Sequence, residues 1–264
     1  MSTGRLWHRF VIGAVFVYLL VPLAATFLYS VATDWYRTIL PEGYTLAWYR
    51  ELLADPRFLD ALGRTLLLCL LTVAASLIVM VLTVFTVTVY YPRWERLLQG
   101  LVMLPYAVPP VVVAVGLIKM YSSGPFALSG SLLLLAAAYF VFILPYMYQG
   151  IRNSMRTVNA SQLIEAAELL GASKMRAFWN VVFPNILPGV LVSTLLSFSV
   201  LFGEFVLANL LVGGHYELIQ IYLERRMDEN GHLASAIVVA YFLFILTISA
   251  AVLRLGRAKK ERNV

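Results

Sequence analysis

Six long apolar runs, almost free of charge, restrict this chain more than anything else in it. The first extends from Phe10 to Thr33 without a charge, and a helix of about 20 such residues spans the hydrocarbon of a bilayer. Similar runs cover Thr65 to Tyr91, Leu97 to Ile118, Ser131 to Ile151, Gly189 to Leu211 and Leu233 to Leu253. Backbone polar groups in hydrocarbon must be bonded within the segment that carries them. The runs therefore predict an all-α membrane protein with six transmembrane helices. A composition of 61% hydrophobic and 13% charged residues, with mean hydropathy +0.82, lies outside the range of soluble globular domains.

The net charge of +6 and pI of about 9.5 do not point to nucleic acid, because the bases lie at the ends of the apolar runs. Six crossings put both termini on one side. That side carries Arg5, Arg9, Arg93, Arg96, Arg152, Arg156, Lys174, Arg176 and a tail of Arg254, Arg257, Lys259, Lys260 and Arg262. The other carries only Arg37, Arg50, Arg57, Arg64, Lys119, Arg225 and Arg226. The positive-inside bias puts both termini in the cytoplasm.

Between the runs, Asp34 to Arg64 reads as an external loop with a short helix around Trp48 to Leu53, and Pro92 to Arg96 as a tight charged turn. Ser122 to Gly130 is a short loop. The first run also admits a rival reading as a removable leader, since Ser30-Val31-Ala32 has the small-x-small form of a cleavage site, but a leader core is shorter. The third run contains Pro105, Pro109 and Pro110, so it should be a kinked helix facing protein or a water-filled cavity, or a plain packing kink. In the fifth run Glu204 should lie inside the helix, well away from its ends. An ionisable group at that depth marks a functional site, here a solute pathway or a partner contact, unless it is buried and protonated against Ser197, Ser199 or Asn209. His215 and His232 bracket the mildly acidic segment Val212 to His232, without metal-like spacing. The lone Cys69 permits no internal disulfide.

The stretch Glu165 to Pro188 interrupts the apolar pattern on the cytoplasmic side and reads as helix, turn, helix. Asn159 and Gln162 form a variant capping box for the first helix, and Gly171 ends it in the left-handed conformation. Ser173 caps a second short helix, Lys174 to Val181, which should stop before Pro184. Met175, Phe178 and Trp179 on that helix, beside Lys174 and Arg176, offer a docking surface; the bland alternative is an amphipathic helix on the inner leaflet.

Glu165-Ala166-Ala167, Gly171 three residues on, then Val181, Phe183 and Pro184 after nine more, resemble the EAA motif of inner-membrane permease subunits of bacterial binding-protein-dependent ABC importers. The family usually has isoleucine and leucine at the positions of Val181 and Phe183. The resemblance implies a type I importer permease fold: residues 1–60 as an N-terminal transmembrane helix and external loop, 61–253 as a permease core of five helices, and 254–264 as a basic cytoplasmic tail. It implies a bacterial inner membrane and a coupling loop of Glu165, Ala166, Ala167, Gly171, Lys174, Met175, Phe178, Trp179 and Pro184 seated on a separate ATPase, with Glu165 bracing the two short helices. Two ATPase subunits, a second permease or second copy, and an extracytoplasmic substrate-binding protein are the implied partners, with ATP and magnesium held by the ATPase. Glu204, Tyr106, Pro109 and Tyr146 are the candidate pathway residues. The general run of the chain resembles the spermidine/putrescine branch most, with the phosphonate and ferric-ion branches near it; an acidic residue at such a depth, with Tyr106, Tyr121 and Tyr146, suits an organic cation.

No G-x-x-x-x-G-K-[ST] pattern occurs, so energy must come from another subunit. H-E-x-x-H and G-x-S-x-G are also missing, which argues against a membrane enzyme. A self-contained channel or secondary transporter should show an inverted repeat with paired broken helices, and the two halves show no such match.

Overall fold

The computed structural model describes residues 3–35, 38–123 and 127–261. Arg37 and Arg262 of the charge comparison, and residues 124–126 of the expected loop Ser122 to Gly130, lie outside the described residues. In chain order the helices are α1 (Thr3–Val31), α2 (Ala47–Ala54), α3 (Pro56–Val89), α4 (Glu95–Ala107), α5 (Pro110–Tyr121), α6 (Leu132–Thr157), α7 (Ala160–Leu169), α8 (Lys174–Ala177), α9 (Phe183–Phe202), α10 (Val206–Leu211), α11 (Ile219–Glu229) and α12 (Gly231–Glu261). Among the described residues, five helical stretches are long and apolar enough to cross a membrane: Trp7–Val31, Pro56–Val89, Leu132–Thr157, Lys174–Phe202 and Gly231–Val252. A bent pair, Pro92–Ala107 with Pro110–Tyr121, supplies a sixth if taken as one span.

Three boundaries differ from expectation for identifiable reasons. The second span begins at Pro56 rather than Thr65, because proline suits the first helical turn and Asp55 Oδ1 accepts the Arg57 amide at 2.8 Å. The third is not one kinked helix. It breaks with a 94° bend, since Val108 before Pro109, and Pro109 before Pro110, are both forced into extended backbone. The fifth does not begin at Gly189 and does not run unbroken to Leu211. It is helical from Lys174 to Phe202, breaks at Gly203 to Phe205, and resumes as α10.

The chain forms two compact units: Met1–Asp60 with Tyr222–Leu246, and Ala61–Ile221 with Thr247–Val264. In the first unit α1 has none of its apolar window covered by protein, which suits a helix standing in lipid. Its other segments are tied by directional bonds. Ala32 and Tyr44 form a β-bridge, Trp48 Nε1 donates to Ala32 O at 2.8 Å, and the His232 ring stacks between Tyr29 and Trp48. Asp55 receives Tyr222 Oη and Arg226 Nη2, each at 2.7 Å, and Arg226 Nη1 also reaches Glu229 at 2.5 Å.

The second unit is organised by α6 against α9. A Cβ placed on Gly150 of α6 would meet Ser193 Cβ of α9 at 2.2 Å, and one on Gly189 of α9 would meet Ser154 Oγ of α6 at 1.8 Å. The two helices thus present Gly150/Ser154 and Gly189/Ser193, the same small-x-x-x-small spacing, to each other reciprocally. Ser154 Oγ donates to Gly150 O at 2.7 Å and Ser193 Oγ to Val190 O at 2.9 Å, so neither hydroxyl is left unbonded in the contact.

Gly150→Ala should lower the thermal midpoint more than Gly189→Ala, at about 1–3 kcal/mol for the former. At Gly150 the obstacle is Ser193 Cβ, with its backbone Cα at 3.4 Å, whereas at Gly189 it is chiefly a hydroxyl. Adding Ser154→Ala should recover part of the Gly189→Ala loss; thermal unfolding in detergent gives the order. In the first unit, burial pushes the Asp55 carboxyl up, but bonds from Tyr222, the Arg57 amide and Arg226 outweigh it and hold the pKa below the ordinary carboxylate value. That stabilisation is present above the ordinary value and is lost as pH falls through the lowered one. The midpoint should therefore drop below about pH 4, and Asp55→Asn should flatten that limb.

Candidate functional site

The stretch with the motif spacing forms a helical hairpin. α7 ends in a Schellman turn: the Ala172 amide reaches Ala167 O at 3.0 Å, the Gly171 amide reaches Glu168 O at 2.9 Å, and Gly171 has φ +85°. Ser173 then caps α8, its Oγ accepting the Arg176 amide at 3.4 Å. The other end of α7 departs from expectation. Asn159 is left-handed, with φ 50° and ψ 53°, and its side chain caps nothing. The capping box with Gln162 is absent because this backbone turns the Asn159 side chain away from the first amides of the helix.

Pro184 does not end the second helix. Phe178–Val182 forms a wide π turn between α8 and α9, and the Phe183 amide reaches Phe178 O five residues back. This accommodates a proline that a regular turn would reject through its ring and missing amide. Asn185 Nδ2 takes up Val181 O at 2.7 Å.

The expected docking residues divide. Met175 and Trp179 are each 47% exposed, but Phe178 is 0% exposed. Its ring lies 4.1 Å from that of Phe85 on α3 and is flanked by Trp179 and Phe183. Phe178 is thus a core anchor under the hairpin and not part of an apolar docking face. Lys174 Nζ sits 5.2 Å over the Tyr90 ring. Glu165 and Ala166 are exposed and Ala167 is half-buried. Among the described residues no side-chain hydrogen bond from Glu165 braces the hairpin, so that expectation fails. What the sequence reading passed over is Leu169 and Leu170, 89% and 90% exposed at the tip beside Gly171. Two leucines closing a helix look like core, and only their position at a Schellman turn turns them outward.

At the hairpin's root, Glu95 Oε1 accepts Arg152 Nε at 2.5 Å and Arg156 Nη2 at 3.2 Å, joining α4 to the end of α6. These three border a cavity of about 340 Å³ with Thr88, Asn159, Ser161 and Gln162.

Of the pathway candidates, Tyr106 on α4 and Tyr146 on α6 meet edge to face at 5.5 Å, and the exposed Pro109 lies in the break that follows α4. Glu204 is elsewhere. It does not lie within a helix but in the break before α10, buried, with Oε1 accepting the Leu207 amide at 2.8 Å and Oε2 the Ala208 amide at 3.1 Å. Among the described residues no hydrogen bond or ring contact joins it to Tyr106 or Tyr146, nor does it pair with Ser197, Ser199 or Asn209.

Comparison with known proteins places this geometry. The family described as "Binding-protein-dependent transport system inner membrane component" matches residues 39–261. The Haemophilus influenzae spermidine/putrescine transport system permease protein PotC is 25% identical over 239 residues, 90% of this chain and 91% of that one. A Salmonella typhimurium protein named as a 2-aminoethylphosphonate transport system permease, PhnV, is 27% identical over 188 residues, 71% of this chain and 70% of that one. Among solved structures, a bacterial ABC transporter importing alginate superposes with TM-score 0.73 at 15% identity over 97% of this chain and 96% of that one. The MetNI methionine ABC transporter does so with TM-score 0.60 at 19% identity over 77% and 98%. The helical architecture, with five candidate spans and a bent pair that makes a sixth, is that of type I importer permeases, and the match extends over most of the sequence: the chain belongs to the inner-membrane permease components of binding-protein-dependent ABC import systems, a membrane transport subunit and not an enzyme.

Proposed function

We propose that this permease forms half of the route for a small organic cation of the spermidine/putrescine class and takes its energy through the α7–α8 hairpin. One observation supports the second part above all: four large apolar side chains, Leu169, Leu170, Met175 and Trp179, stand exposed around a rigid glycine turn. Such a patch on a water-facing hairpin marks an interaction surface. In this reading a separate ATPase covers it. Glu165, Ala166 and Ala167 lie on the docking helix, Gly171 sets the turn, Lys174 and Phe178 fix the hairpin to the bundle, and Pro184 marks the passage into α9. Two ATPase subunits hold ATP and magnesium, a second permease or second copy completes the route, and an extracytoplasmic binding protein delivers the solute. The excess of bases on the hairpin's side supports a cytoplasmic position for it and for both termini.

The solute class rests on similarity to PotC over nine-tenths of the chain and on the Tyr106–Tyr146 pair beside the Pro109 break, since aromatic faces attract organic cations. The likeness to PhnV favours a phosphonate as the second reading. Uptake of labelled putrescine against labelled 2-aminoethylphosphonate, in cells carrying this chain with its neighbouring transport genes, separates the two.

Trp179→Asp or Leu170→Asp should leave the chain abundant in the membrane yet cut uptake about tenfold or more, with ATP hydrolysis no longer coupled to it. Phe178→Asp should instead deplete the folded chain, because it places a charge among buried rings. Normal coupling in the first two variants, measured as solute moved per ATP hydrolysed, would remove the hairpin from the energy path.

A further inference from the structure

The break in the fifth span is a built element. The amides of Leu207 and Ala208 would, in a continuous helix, bond the carbonyls of Gly203 and Glu204; here both go to the Glu204 carboxylate, at 2.8 and 3.1 Å. Two of the carbonyls released by the break find side chains from other helices. Tyr139 Oη of α6 donates to Glu204 O at 3.3 Å, and Gln220 Nε2 of α11 donates to Phe202 O at 3.2 Å. Helical bonding resumes at once, with the Asn209 amide on Phe205 O at 2.8 Å. In hydrocarbon an unbonded backbone group is costly, so one side chain of the break itself and two from other helices, α6 and α11, replace what the missing turn would have supplied. The half-helix they fix, α10, packs against α5, which follows the break at Val108 and Pro109.

We propose that Glu204, Tyr139 and Gln220 are positioning residues that lock this break and hold α10 against α5, and that the Glu204 carboxylate serves backbone amides and not the solute. The carboxylate is buried with both oxygens engaged on its own chain. A solute would have to enter a buried site and share a carboxylate that already holds two backbone amides. The proposal rests on the permease reading for its importance to transport, but not for its geometry.

The test is amide hydrogen exchange on the full chain in nanodiscs of phosphatidylethanolamine and phosphatidylglycerol, followed in peptides covering Gly203 to Leu211. Glu204→Ala should speed exchange at Leu207 and Ala208 about tenfold or more, and Glu204→Gln less, because an amide oxygen keeps one of the two acceptors. Should Glu204→Ala fail to accumulate, Tyr139→Phe, which removes only the hydroxyl on Glu204 O, carries the same measurement. Unchanged exchange at the break in Glu204→Gln and Tyr139→Phe overturns the proposal. In the assembled importer with putrescine as probe, Glu204→Gln, Tyr139→Phe and Gln220→Ala should each lower kcat with KM held within about twofold. A KM rise confined to Glu204→Gln would mark a solute ligand and overturn it equally. If putrescine is not carried at all, the polyamine reading fails while the exchange result still decides this one.

Discussion

In the second unit the packing of α6 against α9 sets what the rest of that unit can do. Helices in lipid gain little from burying apolar surface, because the tails are as apolar as leucine; they associate through tight packing and small residues. Gly150 and Gly189 each give up a side chain so that Ser193 and Ser154 of the opposite helix can enter, and the serines spend their hydroxyls on their own helices. Two contacts one helical turn apart on each helix leave little freedom to slide or rotate. α4 and α10 then find their places against α6.

A second constraint works through the backbone. The irregularities in the spans are positions where amides are missing or redirected. At the corner Pro109 and Pro110 bring no amide of their own. At Gly203 to Phe205 the redirected groups are met by Glu204, Tyr139 and Gln220. At the π turn, Asn185 takes up a carbonyl ahead of the continuing helix. At the break and the π turn, side chains of the same unit satisfy the irregular backbone.

These same features mark how far the sequence could be read. The spans were legible because length and hydropathy over twenty residues leave little choice, and Gly171 and Ser173 because left-handed turns and helix caps have strong residue preferences. The tandem prolines gave the position of a bend but not its 94° angle, which depends on two successive residues being driven extended. Glu204 was legible as anomalous, yet its task was not: a carboxylate that caps its own chain and one that faces a solute have the same spelling. Phe178 was misjudged and Leu170 passed over for a common reason. Which apolar side chain of an amphipathic hairpin faces the bundle is settled by Phe85 on a distant helix, and periodicity over a turn or two cannot see it. Gly150/Ser154 and Gly189/Ser193 were spaced plainly enough, but a small-residue repeat acquires meaning only once its partner helix is known.

The position of the hairpin gives the packing a mechanical consequence. α7 follows α6 with only Val158 and Asn159 between, and α8 runs through the π turn into α9 without a break. The two helices locked by the glycine and serine crossings are therefore the same two that carry the hairpin. The Phe178 ring wedges its base against α3, and Glu95 holds the end of α6 to α4. A displacement of the exposed tip cannot be absorbed by α6 and α9 sliding past one another, and must pass into the bundle as movement of the pair. For a permease driven by a partner at that tip, such a lever favours rigid-body rocking over local rearrangement.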